Sequence, residues 1–179
     1  MDKGASAIVL SRRSASRANG RRMPVLSLAD AAALLPPRGV LIGLDLGTKT
    51  IGVAASDPDW RVAAGVETIA RQRFALDARR ILELAAERRA TGVVLGLPIN
   101  MDGSEGPRAQ STRAFAHNLA QLTELPIALW DERLSTAAVE RALIAADASR
   151  AKRKNVIDAH AAAYILQGAL DRLSRQVPL

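Results

Sequence analysis

The sequence predicts an α/β fold in which a mixed five-stranded sheet, with three antiparallel strands followed by two parallel ones, is flanked by helices. Two observations predict this class. Three apolar segments early in the chain are joined by connections of only a few residues, which favours antiparallel hairpins because a parallel crossover needs about a dozen residues or more. Farther along, segments of helical period alternate with short apolar segments, as in parallel strands connected by helices.

The hairpin strands come first in the chain. We expect them at residues 40–46, 51–56 and 62–70, separated by turns at 47–50 and 57–60. Each strand segment is rich in Val, Ile or Ala, and the turns hold Gly, Pro, Asp and Thr, which is typical of short hairpin connections.

The remaining elements alternate between helices and strands. Arginines lie opposite the apolar face of the first helix, and the last helix has an apolar stripe at helical spacing. Each strand–helix–strand crossover should be right-handed. The expected helices span 74–90, 107–124, 136–148 and 156–173, and the expected strands span 93–98 and 125–130.

The N-terminal residues 1–38 are predicted to be a basic, flexible extension of a domain that spans 39–175. They carry seven Lys or Arg side chains and two acids. Residues 25–35 could form a short helix or a docking segment, which Pro36 and Pro37 would end. A basic extension of this kind could hold phosphates weakly and without sequence preference.

The composition narrows the classes of function. With 179 residues and 49% hydrophobic content, the chain can form one domain with a core. The absence of cysteine excludes disulfides, thiol catalysis and cysteine-ligated zinc or iron–sulfur sites. Aromatic residues make up only 3%, which argues against a base-stacking platform. No apolar run is long enough to span a membrane, so we expect a cytoplasmic protein.

Acidic residues lie where the expected topology could gather them. Asp45 interrupts an apolar strand, and a lone buried carboxylate is unfavourable unless it is paired or binds a metal. Asp131 and Glu132 follow the last strand, and Asp158 lies in the last helix. Because parallel strands end at one edge of a sheet, we expect these acids to converge there. Carboxylate oxygens favour Mg²⁺ or Mn²⁺, and two such ions could activate a water to hydrolyse a phosphodiester.

Structural roles are the alternative for three of these acids. Asp131 or Glu132 could pair with Arg133 or cap the following helix. Asp158 could favour a helix N-terminus electrostatically.

Four sequence blocks resemble, in the right order, the signatures of the YqgF (RuvX) family, whose members are ribonuclease-H-like proteins related to the Holliday-junction resolvase RuvC. The blocks are GLDLGTKTIGVAASD, VVLGLPINMDGSEGPRAQ, WDERLSTAAVE and IDAHAAAYILQ. The resemblance covers about residues 40–170 and implies a ribonuclease-H-like domain. It also implies a metal-dependent endonuclease that acts on structured nucleic acid, with processing of the 5′ end of precursor 16S rRNA in ribosome biogenesis as its function.

The resemblance assigns the catalytic and metal-binding roles to Asp45, Glu132 and Asp158, with Mg²⁺ or Mn²⁺ as the cofactor. The chain departs from related resolvases in one place. The strand expected at 93–98 ends in Gly96-Leu97-Pro98, without the carboxylate that these relatives often have there. The site could therefore use fewer protein ligands, or use Glu132 as the substitute.

Basic and polar side chains near these acids are the candidate nucleic-acid contacts, because they could hold backbone phosphates. Solvated loops are the alternative for most of them, and Arg133 could either stabilise transition-state charge or neutralise Asp131. The candidates are Lys49, Asn100, Ser104, Arg108, Arg133, Arg150, Lys152, Arg153 and Lys154.

Three other functions compete with rRNA processing. A Holliday-junction resolvase would act on branched DNA, and a homodimer would suit it better than a monomer because a four-way junction needs two active sites. A non-catalytic RNA-binding ribosome-assembly factor is compatible with the missing strand-end carboxylate. DLGTKTIG also resembles the first phosphate loop of actin-like ATP-binding proteins, but 179 residues leave no room for the duplicated domain and second loop of that class.

Overall fold

The computed structural model describes residues 24–134 and 153–175. Its elements alternate much as the sequence predicts. The strands are β1 (Val25–Ser27), β2 (Val40–Leu46), β3 (Thr50–Ser56), β4 (Ala63–Ala70), β5 (Ala90–Leu97) and β6 (Ile127–Asp131). The helices are α1 (Leu28–Ala32), α2 (Phe74–Glu87), α3 (Pro107–Leu119), a 3-10 helix (Glu132–Leu134) and α4 (Arg153–Ser174).

The six strands form one mixed sheet in the order β1-β6-β5-β2-β3-β4. Strands β2, β3 and β4 pair antiparallel, whereas β2, β5, β6 and β1 pair parallel. The predicted arrangement of antiparallel strands followed by parallel ones is confirmed. Because β2, β5 and β6 run in the same direction, their carboxyl ends lie at one edge of the sheet, together with the first residue of β3.

One strand was not predicted from the sequence. The segment 25–35 was expected to form a short helix or a docking segment; it contains the helix α1, and in addition Val25–Ser27 pairs parallel with β6 and extends the sheet to six strands. Ser27 then caps α1, since its hydroxyl accepts a hydrogen bond from the Asp30 N–H at 3.2 Å. This segment packs against the domain that was expected to begin near Gly39. The helix expected at 136–148 lies outside the described residues.

The two faces of the sheet bury different side chains. Large residues of β2 and β3 alternate onto the face covered by α2 and α3, where Ile42, Leu44 and Ile51 are fully buried. The opposite face is covered by α1 and α4; it buries Leu41 and Trp130 but carries small residues, such as Gly43 and Ala54, where α4 lies on β2 and β3. A Cβ atom at Gly43 would lie only 2.7 Å from the Leu166 Cβ, so α4 lies directly on the strands.

Among the described residues, no helix is long and apolar enough to cross a membrane.

Candidate active site

Asp45 lies one residue before the end of β2, on the face of the sheet that α4 covers. Its side chain is half-buried, and its cross-strand partner in β3 is Gly52. Because β2 is flanked by β5 and β3, Asp45 is central in the row of strands that end at this edge. A carboxylate at this position is accessible from the edge of the sheet although the strand around it is buried.

Asp158 is brought to the same place by the close approach of α4. A Cβ atom at Gly52 would overlap the carbonyl group of Asp158, so a residue with a side chain cannot occupy that position without displacing the helix. The half-buried Asp158 carboxylate also accepts a hydrogen bond from the Thr50 hydroxyl, with 2.6 Å between Oγ1 and Oδ2. Since Gly52 is the strand partner of Asp45, the Asp158 backbone lies over the strand next to Asp45, although most of the domain separates the two acids in sequence.

Glu132 approaches from the other side of Asp45. It is the first residue of the 3-10 helix that follows β6. Its Oε1 atom lies 2.6 Å from the position that a Cβ atom of Gly96 would take. Gly96 directly follows Leu95, which pairs with Leu44 of β2, so the Glu132 carboxylate lies over the strand next to Asp45. It fills the space above the strand end that lacks its own carboxylate.

The donor set is suited to a hard divalent cation held with the help of the substrate. Asp45, Glu132 and Asp158 contribute carboxylate oxygens, the ligand type that Mg²⁺ and Mn²⁺ prefer. Across residues 24–134 and 153–175, no group of three or more His, Cys, Asp or Glu residues is arranged so that it could hold a metal ion by itself. Mg²⁺ usually binds through one or two carboxylates, with phosphate oxygens and water completing its shell. The residues therefore fit an ion of that kind.

Asp131 and Arg133 form an ion pair beside this group. The Arg133 Nη2 atom donates to Asp131 Oδ2 at 2.7 Å, and its Nε atom donates to both carboxylate oxygens at 3.1 Å. These hydrogen bonds lower the pKa of Asp131 and raise the pKa of Arg133. Part of the Arg133 charge is thus neutralised within the protein.

Asn100 and Ser104 are engaged in the loop between β5 and α3. The Asn100 side-chain amide donates to the Ser104 hydroxyl at 2.9 Å, and that hydroxyl donates to Asp102 at 2.6 Å. The Ser104 hydrogen bonds lower the pKa of Asp102. These contacts give both residues a role in shaping the loop.

A cleft of about 440 Å³ connects this loop with Glu132. Asn100, Arg108 and Arg133 line it as well, so three of the predicted nucleic-acid contacts border one of the predicted catalytic acids. The Arg108 side chain is exposed in the first turn of α3 and has no hydrogen bond or ion pair with any other described residue. A cation without a carboxylate partner is available to a phosphate.

Lys49 lies in the exposed turn between β2 and β3, the turn that follows Asp45 in the chain. Within the part of the chain that the structure describes, its ammonium group has no carboxylate partner either. Arg153 and Lys154 begin α4, at the same end of the helix as Asp158. Arg150 and Lys152 lie outside the described residues, so their predicted contacts stay predictions.

Two further residues support the site and were not found from the sequence. Thr50 holds Asp158, as described above. Arg71, just after β4, donates through Nη1 to the Gly47 carbonyl at 2.7 Å and through its backbone N–H to the Lys49 carbonyl at 2.9 Å. No local pattern signals either residue, because each contact depends on how distant elements pack.

The sequence agrees with a family model over most of this domain. The model for RuvX, described as Holliday junction resolvase, matches residues 39–172. The chain belongs to the RuvX family. A protein of Rhodopseudomonas palustris (strain BisB5), named "Putative pre-16S rRNA nuclease", is 75% identical over 150 residues, which are 84% of this chain and 94% of the relative. A protein of the same name from Bradyrhizobium sp. (strain ORS 278) is 72% identical over 151 residues, with the same two coverages.

A solved structure resembles this RuvX chain in fold. T. thermophilus RuvC in complex with Holliday junction substrate superposes with a TM-score of 0.52 and covers 79% of this chain and 99% of RuvC, at 16% identity. The predictions of the family and of the ribonuclease-H-like fold are confirmed. The predicted class of enzyme, a nuclease, is the class for which the relatives are named.

Proposed function

We propose that this RuvX chain is a metal-dependent endonuclease that hydrolyses phosphodiester bonds of structured nucleic acid, with the 5′ end of precursor 16S rRNA as its substrate. The observation that carries the proposal is that Asp158 lies over Gly52 and the Glu132 carboxylate over Gly96, on the strands that flank Asp45 on either side. The names of the relatives support this choice of substrate. Such a substrate would place the protein in the cytoplasm.

Each part of the site has a role in this proposal. Asp45, Glu132 and Asp158 would hold Mg²⁺ or Mn²⁺, which when bound would stabilise negative charge on the reacting phosphate and favour ionisation of an attacking water. Glu132 borders the open cleft and therefore also faces the substrate. Lys49 and Arg108 would hold phosphates on either side of the bond to be cut, without reading the base sequence.

The test is cleavage of 5′-labelled RNA that carries the precursor extension of 16S rRNA, in Mg²⁺ or Mn²⁺ and in excess chelator. We expect metal-dependent cleavage within the extension and none in chelator. Binding of the RNA without cleavage in either metal would contradict the proposed enzyme and favour a non-catalytic assembly factor.

A Holliday-junction resolvase is the second candidate, because the matching family model carries that description. A four-way DNA junction and a linear duplex of the same sequence, offered in the same assay, separate the two functions. Preferential cleavage of the junction by a homodimer, with the RNA left intact, would favour the resolvase. Preferential cleavage of the RNA would favour rRNA processing.

A further inference from the structure

The backbone of Thr50 is held by hydrogen bonds of the turn between β2 and β3, apart from its side-chain contact with Asp158. Thr50 is the first residue of β3, and its carbonyl accepts a hydrogen bond from the Gly47 N–H at 2.9 Å. Arg71 binds the same turn through the Gly47 and Lys49 carbonyls. Hydrogen bonds within the turn and from Arg71 therefore restrict the backbone around Thr50, and this positions the Thr50 hydroxyl.

That hydroxyl points at one oxygen of Asp158. The distance of 2.6 Å between Oγ1 and Oδ2 is short for an O–H···O hydrogen bond and typical of one to a charged carboxylate. Because Oδ2 is engaged, the rotation of the carboxylate about its last bond is restricted. The other oxygen, Oδ1, and the unused lone pair of Oδ2 stay available to a cation.

We infer that Thr50 is a positioning residue that orients Asp158 for a divalent cation. The inference rests on the proposed function, because it takes Asp158 as a metal ligand. Outer-sphere partners of this kind restrict the orientations of a ligand before the ion arrives, and their removal typically weakens metal binding by about 10- to 100-fold. Thr50 would act on the reaction only through Asp158.

The experiment compares isosteric variants by calorimetric titration of the full chain with MnCl₂, without nucleic acid. Thr50→Val removes the hydroxyl and keeps the shape, whereas Thr50→Ser keeps the hydroxyl. Thr91→Val is the matched control, because the Thr91 hydroxyl donates to the Val40 carbonyl at 3.2 Å near the start of β5, away from the acids.

We expect Thr50→Val to weaken Mn²⁺ binding by about 10- to 100-fold, while Thr50→Ser and Thr91→Val retain the wild-type affinity. Cleavage by Thr50→Val should need correspondingly more Mn²⁺ for its half-maximal rate and should approach the wild-type rate at saturation. If Thr50→Val does not fold, as judged by circular dichroism, Thr50→Ala is measured by the same criteria.

Wild-type Mn²⁺ affinity in the Thr50 variant would overturn the inference, as would an equal loss in Thr91→Val. A wild-type protein that binds no Mn²⁺ would overturn both the inference and the proposed metal site. The two failures are distinguishable: if only the inference is wrong, wild type binds Mn²⁺ and the Thr50 variant binds it equally well, whereas if the metal site is wrong, wild type itself binds no Mn²⁺.

Discussion

The two faces of the sheet are built for different purposes. On the α2 and α3 face, large side chains such as Leu84 and Ile42 separate the helices from the strands and form a close-packed core. On the α4 face, Gly43 and Gly52 let the helix lie against the strands. Large side chains therefore hold α2 and α3 away from the strands, whereas the two glycines let α4 approach them closely and bring Asp158 to the site.

The charged surfaces differ in the same way. On the α2 side, Arg80 pairs with Glu67 at 2.7 Å and also contacts Glu83 and Glu87 at 3.4 Å. At the site edge, the side chains of Lys49 and Arg108 have no carboxylate partner within the described ranges. Lys49 and Arg108 are therefore the cations near the proposed site that could bind phosphate without first breaking an ion pair, unlike Arg133, which is held by Asp131.

Gly52→Ala should have a large effect on activity. The added methyl group would overlap the Asp158 carbonyl, so α4 must move. A misplacement of about 1 Å can cost about 100-fold in rate, and overpacking typically costs about 1–3 kcal/mol of stability. Cleavage rates and urea denaturation measure the two effects. Wild-type cleavage by a folded Gly52→Ala protein would show that the close approach of α4 is not needed.

Leu84→Ala is the matched change on the opposite face. Leu84 is 2% exposed, and truncating such a residue typically destabilises a protein by about 2–5 kcal/mol. The cleavage rate per folded molecule should stay at the wild-type value, because no acid of the site contacts this side of the sheet. A lower cleavage rate per folded molecule would contradict the claim that the α2 and α3 face contributes to stability and not to catalysis.

The sequence predicts the face of the sheet that α4 covers less completely than the face that α2 and α3 cover. Strand β2 lies where expected, and the convergence of Asp45 and Asp158 follows from topology alone. The contact between Thr50 and Asp158 could not be predicted, because it depends on how closely α4 packs against the strands of the sheet. Strand β5 begins three residues before the expected 93, since α2 ends at Glu87 and Arg89 turns the chain with a φ of 51°.

Strand β1 escaped prediction for a different reason. Its three residues are too few to show a strand period, and they pair with β6, about a hundred residues later in the chain.

Arg108→Ala tests the unpaired cations. We expect the variant to bind RNAs of different sequence more weakly by about the same factor. The slope of log affinity against log salt concentration should fall by about 1. Arg113→Ala is the control on the same helix, because Arg113 is held by Glu105 and should change neither quantity. Fluorescence anisotropy at several salt concentrations measures both. Equal effects of the two variants would mean that charge pairing does not separate functional from structural arginines.

Glu67→Gln should have the smallest effect. The Arg80 hydrogen bond lowers the pKa of Glu67 from its ordinary value of 4.5. The stabilisation from a lowered carboxyl pKa is complete above the unfolded value and is lost as the pH falls through the folded value. The variant should be less stable than wild type by at most about 1 kcal/mol at pH 7, and the difference should vanish in acid. Urea denaturation at a series of pH values measures it, and a difference that grows toward low pH would contradict the pairing.

The most direct test of a metal-dependent active site on the α4 face is to measure cleavage of the precursor RNA by wild type and by Asp45→Asn over a range of Mn²⁺ concentrations. Asp171→Asn is the control, because Asp171 is an exposed acid on α4 that accepts a hydrogen bond from Gln167. We predict that Asp45→Asn folds normally but cleaves at least about 100-fold more slowly at every Mn²⁺ concentration, while Asp171→Asn matches wild type. Wild-type cleavage by Asp45→Asn would contradict the assignment.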